Sequence, residues 1–164
     1  MKPIVCLTSA LLLSATMLAD EPAVRVAPPQ LQGSRPLEKQ TESSVIRNYL
    51  ESWKSLQEAL DQNQAGKLDR DFVGVARDKL GDTIEAQNRM GIHTRYQDLS
   101  HDLQIVFYSP EGLSIQMTDN VEYRQQIFEK DKVLATTVVR RRYLVVLTPS
   151  EVRWQVRILQ AGLD

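Results

Sequence analysis

The position with the most chemical potential in this chain is Asp119. In "LSIQMTDNVEY" (113–123), alternate residues are Leu113, Ile115, Met117, Asp119, Val121 and Tyr123. Alternate residues of a strand share a face, so a regular strand would set one carboxylate in an apolar row. Desolvation there raises a carboxyl pKa, the state that general acid–base chemistry uses. The Asp-Asn pair tolerates irregular backbone. A bulge at "TDN" (118–120) would then swing Asp119 outward, and this outward placement is the expectation.

The second candidate is the arginine triplet of "TTVVRRRYLVVL" (136–147), a strand-like run with charge at its centre. By parity, Arg140 and Arg142 share a face with Leu134, Val138, Leu144 and Val146. Arg141 falls with Val139, Tyr143, Val145 and Leu147. Residues 121–160 hold eight basic residues against four acidic ones. Antiparallel pairing can bring Arg124, Arg153 or Arg157 beside the triplet, with Glu122 as the neutralising neighbour. A solvated face whose long stems cover apolar surface explains such a row. An anionic or protein-binding patch, with arginine giving bidentate recognition, is the functional alternative. Its residues would be Arg124, Arg140, Arg141, Arg142, Tyr143 and Arg153. Arg141 is expected to face inward near an open end, and Arg140 and Arg142 to lie on the outer sheet face beside Arg124 or Arg153.

Other chemistries find less support. His93 and His101 are the only histidines, with Asp98 and Asp102 nearby. Zinc needs three or four converging ligands. In extended chain the two histidines would stand roughly 26 Å apart, at about 3.3 Å per residue. They read as solvated loop and strand-edge residues, and no metal is expected. No G-x-S-x-G elbow and no glycine-rich phosphate loop is present. The formal net charge of −1 gives the whole molecule no electrostatic case for nucleic acid.

Such residues need elements to hold them. Val45, Ile46, Tyr49, Leu50, Trp53, Leu56 and Leu60 recur at three- and four-residue steps and predict a helix over 43–62. Thr41 or Ser43 could cap it and Gly66 end it. A second helical stretch runs from about Asp69 to Met90, with Asp69 as N-cap, a break near Gly81 and Gly91 beyond its end. The period then changes to two. "TRYQDLSHDLQIVFYS" is strand-like from about Tyr96. Leu99 and Leu103 share parity with Ile105 and Phe107 while Tyr96 does not, which predicts a bulge. Tight turns at 109–112, 129–132 and 148–151 separate three further strands. Turns this short join only antiparallel strands. Helices followed by strands give an α+β class: two or three helices packed on a curved, cone-like sheet of four antiparallel strands.

The chain of 164 residues has room for one such domain, 41–162, and for appendages. Residues 1–19 read as a signal peptide. Met1-Lys2 is positive, Ile4 to Leu18 is apolar but short for a spanning helix, and cleavage would follow Ala19. Cys6, the single cysteine, lies inside that segment, so the mature chain would carry no thiol. Export without disulfides suits a periplasm. Residues 20–40 hold Pro22, Pro28, Pro29, Pro36 and Gly33 and read as a flexible linker.

The order of elements resembles the nuclear transport factor two-like fold, which ketosteroid isomerases share. "YLESWKSLQEAL", "QNRMGIHTRYQDLSHDLQIV", "VEYR", "RRRYLVV" and "VRWQV" are similar in order and spacing to the C-terminal domain of cyanobacterial and chloroplast division proteins. Trp53, Gly91 to Tyr96, and Trp154 with Val156 would fill that family's places, over residues 43–160. The resemblance implies a domain that binds a protein partner on the exported side of a membrane, without catalysis. The isomerase branch implies the alternative, a small-molecule pocket inside the cone that uses Asp119, a phenol from Tyr49, Tyr96 or Tyr143, and the charge of Arg141.

The resulting expectation is a periplasmic or secreted, non-enzymatic interaction domain. It would engage a protein partner or form a homodimer through its sheet, without a cofactor. A membrane would be involved only through an uncleaved N-terminal segment.

Overall fold

The computed structural model describes residues 21–162 apart from Ser34; the expected signal segment and Cys6 lie outside the described residues. The elements, in chain order, are β1 (Ala23–Val26), α1 (Lys39–Gln62), a 3-10 turn (Ala65–Leu68), α2 (Gly74–Arg89), β2 (Ile92–Tyr108), β3 (Ile115–Glu129), β4 (Lys132–Pro149) and β5 (Trp154–Ala161). The class is α+β, with two helices packed on a curved, open, mixed sheet ordered β1-β2-β3-β4-β5.

The sheet has five strands where four were expected. The additional one comes from the proline-rich segment. β1 runs parallel to Ser100–Leu103 of β2, and the chain stays against β2 beyond it. Ala27, Gln30 and Gln32 donate their N–H groups to the carbonyls of Leu103, Ile105 and Val106 at 2.8, 3.0 and 2.9 Å. Proline removes a donor but is tolerated on an edge strand, and the residues around Pro28 and Pro29 supply the donors. Residues 23–32 therefore strap the edge of β2.

α1 has the predicted face: Val45, Tyr49, Trp53, Leu56, Ala59 and Leu60 are buried against the sheet. It begins at Lys39, with Glu38 as its N-cap residue, so Thr41 and Ser43 lie within its first turns. It ends at Asn63, whose left-handed φ of 53° stops the helix before Gly66. α2 starts at Gly74, because Asp69 closes the 3-10 turn instead of capping the helix. It runs unbroken through Gly81, which is buried, along with Ala76, Ile84 and Gln87, on the face toward the core. Packing of that face outweighs the roughly 1 kcal/mol cost of a helical glycine. Gly91, at φ 70°, makes the turn into β2.

Two irregularities set which β2 residues face inward. The register against β3 shifts between Asp98 and Ser100 and again between Ile105 and Phe107. The first is the predicted bulge, at Leu99. Because one residue is inserted, Tyr96 and Asp98 before it and His101, Leu103 and Ile105 after it all turn toward the helices.

Asp71 fastens the helical layer to the far edge of the sheet. The residue is 1 % exposed, and its carboxylate accepts hydrogen bonds from Ser55 of α1, from Arg70 at 3.0 Å, and from Arg153 just before β5. Its carbonyl accepts the N–H of Val156 at 2.8 Å. Removing one partner of a buried ion pair strands the other and costs about 3 kcal/mol. Asp71→Ala should lower the unfolding free energy by about that amount in urea titrations; an unchanged midpoint would show that the pair carries no structure.

Candidate functional site

The structure places Asp119 inward, against the expected bulge. β3 keeps an unbroken register with both neighbours across 118–120, and Asp119 is 0 % exposed. The strand stays regular because the carboxylate is satisfied where it lies. Tyr49 of α1 donates its hydroxyl to Oδ2 at 2.8 Å, His101 Nδ1 meets the same oxygen at 2.8 Å, and the N–H of Asp102 reaches Oδ1 at 3.3 Å. Three donors offset the desolvation that would otherwise expel the charge.

His101 reads from the sequence as a solvated residue, and the structure overturns that reading. It is 1 % exposed. The signal was present, since His101 stands between Leu99 and Leu103 in the apolar row. Its Nε2 faces Asp98 Oδ2 at 3.6 Å, and the Leu99 bulge is what puts these two residues on one face. Burial pulls the imidazole pKa down. The hydrogen bond to Asp119 and the nearby charges of Asp119 and Asp98 outweigh this and hold it up at about 9, while Nε2 itself has no hydrogen-bond partner among the described residues. The ring is then an imidazolium between two carboxylates. Trp53 lies edge-on to it, with centroids 5.2 Å apart, and Trp53 also meets Tyr123 and Tyr143 at 5.8 and 5.9 Å. Burial, then the Asp119 charge, push the Tyr49 phenol well above its usual 10. Tyr96 is pushed up to about 12, again first by burial. The other histidine, His93, is elsewhere, stacked on Phe128 and 3.6 Å from Asp61. Among the described residues no group of His, Cys, Asp and Glu is arranged to hold a metal.

The isomerase-like triplet is brought together only in part. Tyr49 and Asp119 are bonded, while Arg141 is exposed on β4, opposite Val121. It shares the strand parity of Val139 and Tyr143, and its charge offsets part of the upward shift on Tyr123 and Tyr143.

The binding candidates divide between two faces. Arg140 and Arg142 lie on the outer face and Arg124 on the same face of β3, where it donates to Gln97 at 2.9 Å. Glu122 is the expected neighbour: Arg140 bonds both its oxygens, at 2.8 and 3.3 Å, and the hydrogen bond holds the Glu122 carboxyl below its usual range. Tyr143 is half-buried on the inner face, against Trp53. Arg153 belongs with neither, since it is committed to Asp71 and Glu51. A trough of about 650 Å3 crosses the outer face over β1 to β4, flanked by Arg25 on one side and Arg140 and Arg142 on the other, with Asp102, Asn120 and Glu122 between them. A smaller cavity of about 390 Å3 lies between α1 and β2, at Leu50, Tyr96 and Asp98. Neither Asp119 nor Tyr49 lines either one.

Among solved structures, the chain is similar to the intermembrane space region of the chloroplast protein ARC6, at 14 % identity and a TM-score of 0.61 over 79 % of this chain and 100 % of that one. It is also similar to a protein assigned as a scytalone dehydratase from Novosphingobium aromaticivorans, at 13 % identity and 0.52 over 77 % and 89 %. A protein from Catenulispora acidiphila gives 11 % and 0.52 over 75 % and 94 %. No family model matches the chain, and no curated protein does. At these identities the likeness is one of fold, and the fold is nuclear transport factor two-like.

The His101 environment sets a pH dependence. Folding keeps the proton on His101 up to about pH 9, whereas the unfolded side chain releases it near 6.5. The stabilisation is therefore complete below pH 6.5 and is lost as the pH climbs toward 9. The unfolding free energy should fall by up to about 3 kcal/mol between pH 6 and 9.5. His101→Gln, which keeps a donor toward Asp119 but does not titrate, should flatten the profile. A wild-type curve without that slope would refute the imidazolium assignment.

Proposed function

We propose that this chain is an exported, non-catalytic binding module that takes a protein strand along the edge of β4. The observation that carries the proposal is the mismatch between β4 and β5. β4 spans Lys132–Pro149, but β5 pairs only with Tyr143–Pro149, and the N–H of Gly162 closes on the carbonyl of Arg142. Among the described residues no strand pairs with Lys132–Arg141 on the side away from β3. An uncovered edge is a template for another strand, and strand addition is a recurrent mode of peptide recognition. The same stretch exposes Val133, Leu134 and Val138 at 45, 49 and 48 %.

The burial of Asp119 supports the non-catalytic part of the proposal. Asp119 has no exposed surface and already has a donor on each oxygen. Export is supported by the apolar N-terminal segment, and the ARC6 region it resembles is described as one of the intermembrane space. A second copy of the chain, adding its own β4 to the same edge, is the alternative occupant favoured by the exposed valines and leucine.

Hydrogen–deuterium exchange tests the proposal. Amides of 132–141 should exchange fast in the dilute protein and gain protection when a partner captured from periplasmic extract is bound. Protection that rises with protein concentration alone, together with a faster-sedimenting species, would assign the edge to a second copy. Bound partner without any protection of 132–141 would sink the proposal.

A further inference from the structure

We infer that the strand taken up by β4 carries acidic side chains on its outer face, seated on Arg140 and Arg142 at the rim of the arginine-flanked trough. This rests on the proposed edge pairing and names the chemistry of the partner.

The sheet register builds the trough as two aligned rows. One row reads Arg25, Asp102, Asn120 and Arg142 across β1, β2, β3 and β4. The next reads Ala23, Ser100, Glu122 and Arg140. At roughly 4.8 Å per strand, the two arginine walls stand about 14 Å apart at the backbone. The floor carries only two carboxylates. Asp102 faces Arg25 at 3.9 Å, and Glu122 is held by Arg140. Asn120, the residue paired with Arg142, brings no charge of its own. The β4 wall of the trough is thus more basic than its floor can match.

The free edge begins where this wall stands. Side chains directly opposite on neighbouring antiparallel strands lie about 5 Å apart, and opposite charges there attract. A strand added beside Lys132–Arg141 would place its outward residues next to Arg140, within reach of Arg142. Glutamate or aspartate at those positions would meet guanidinium groups suited to bidentate bonding. Lysine or arginine there would be repelled, so the charge would select among strands that the backbone alone would accept equally.

Two synthetic eight-residue peptides provide the test. Both are strand-forming, with glutamate at alternate positions in one and glutamine in the other. Binding to the full chain is followed by fluorescence anisotropy and by exchange protection at 132–141. The glutamate peptide should bind about tenfold more tightly than the glutamine peptide at low salt, and the preference should shrink as salt screens it. In Arg140→Gln/Arg142→Gln the preference should vanish while binding of the glutamine peptide persists. Circular dichroism confirms that the variant is folded, and Arg124→Gln, on the same face but outside the trough, serves as the control that keeps the preference. Equal binding of both peptides with protection of 132–141 would overturn the acidic seat and leave the edge pairing standing. Binding of the glutamate peptide without protection of 132–141 would overturn the edge pairing, and with it the inference. Binding of neither peptide would overturn both.

Discussion

A carboxylate with no exposed surface sits at the centre of this fold, and its neutralisation links the elements around it. Asp119 is held by the Tyr49 hydroxyl from α1, the His101 ring from β2 and the N–H of Asp102. A buried charge is costly unless paired and hydrogen-bonded, so these partners cannot move apart independently. The helix therefore has a fixed position over the sheet, and β2 has a fixed register beside β3. Trp53 packs against the His101 ring and, on its other contacts, against Tyr123 and Tyr143. The residues of this cluster also tie the fold together, because each oxygen of Asp119 has its donor on a neighbouring element.

One extra residue in β2 makes this possible. Without the Leu99 bulge, strict alternation would put Asp98 and His101 on opposite faces. With it, both point inward, and the imidazolium lies between Asp98 and Asp119. The same stretch of β2 receives β1 on its other side. The proline-bearing segment thereby covers an edge that would otherwise face solvent beside the buried charges.

The opposite edge is treated differently. β5 is eight residues long and β4 eighteen, so about half of β4 has a neighbour on one side only. Its exposure is not a packing failure of the core. The buried positions of β4 are Val145 and Leu147, both within the part that β5 covers. The outer face beside the uncovered stretch carries arginine in excess of acid. Exposed apolar residues and basic residues thus share one strand, with the aliphatic ones toward the hairpin and the arginines toward the middle of the sheet.

Periodicity alone determined the helices, the antiparallel meander, the bulge near Leu99 and the division of the arginine triplet, because each is a local pattern of apolar spacing. It also carried the clue to His101, which stands in an apolar row and reads as solvent-facing only if its polarity is weighed above its parity. Three things were decided by tertiary contacts. Asp119 turned inward because Tyr49 and His101, 70 and 18 residues away in sequence, supply donors that no local rule foresees. Arg153 left the basic patch because a buried aspartate 82 residues earlier claimed it. β1 formed because the edge of β2 offered carbonyls to a segment whose prolines argue for disorder. In each case the local preference was weak, and the free energy came from pairing groups that only the folded chain brings within hydrogen-bond reach.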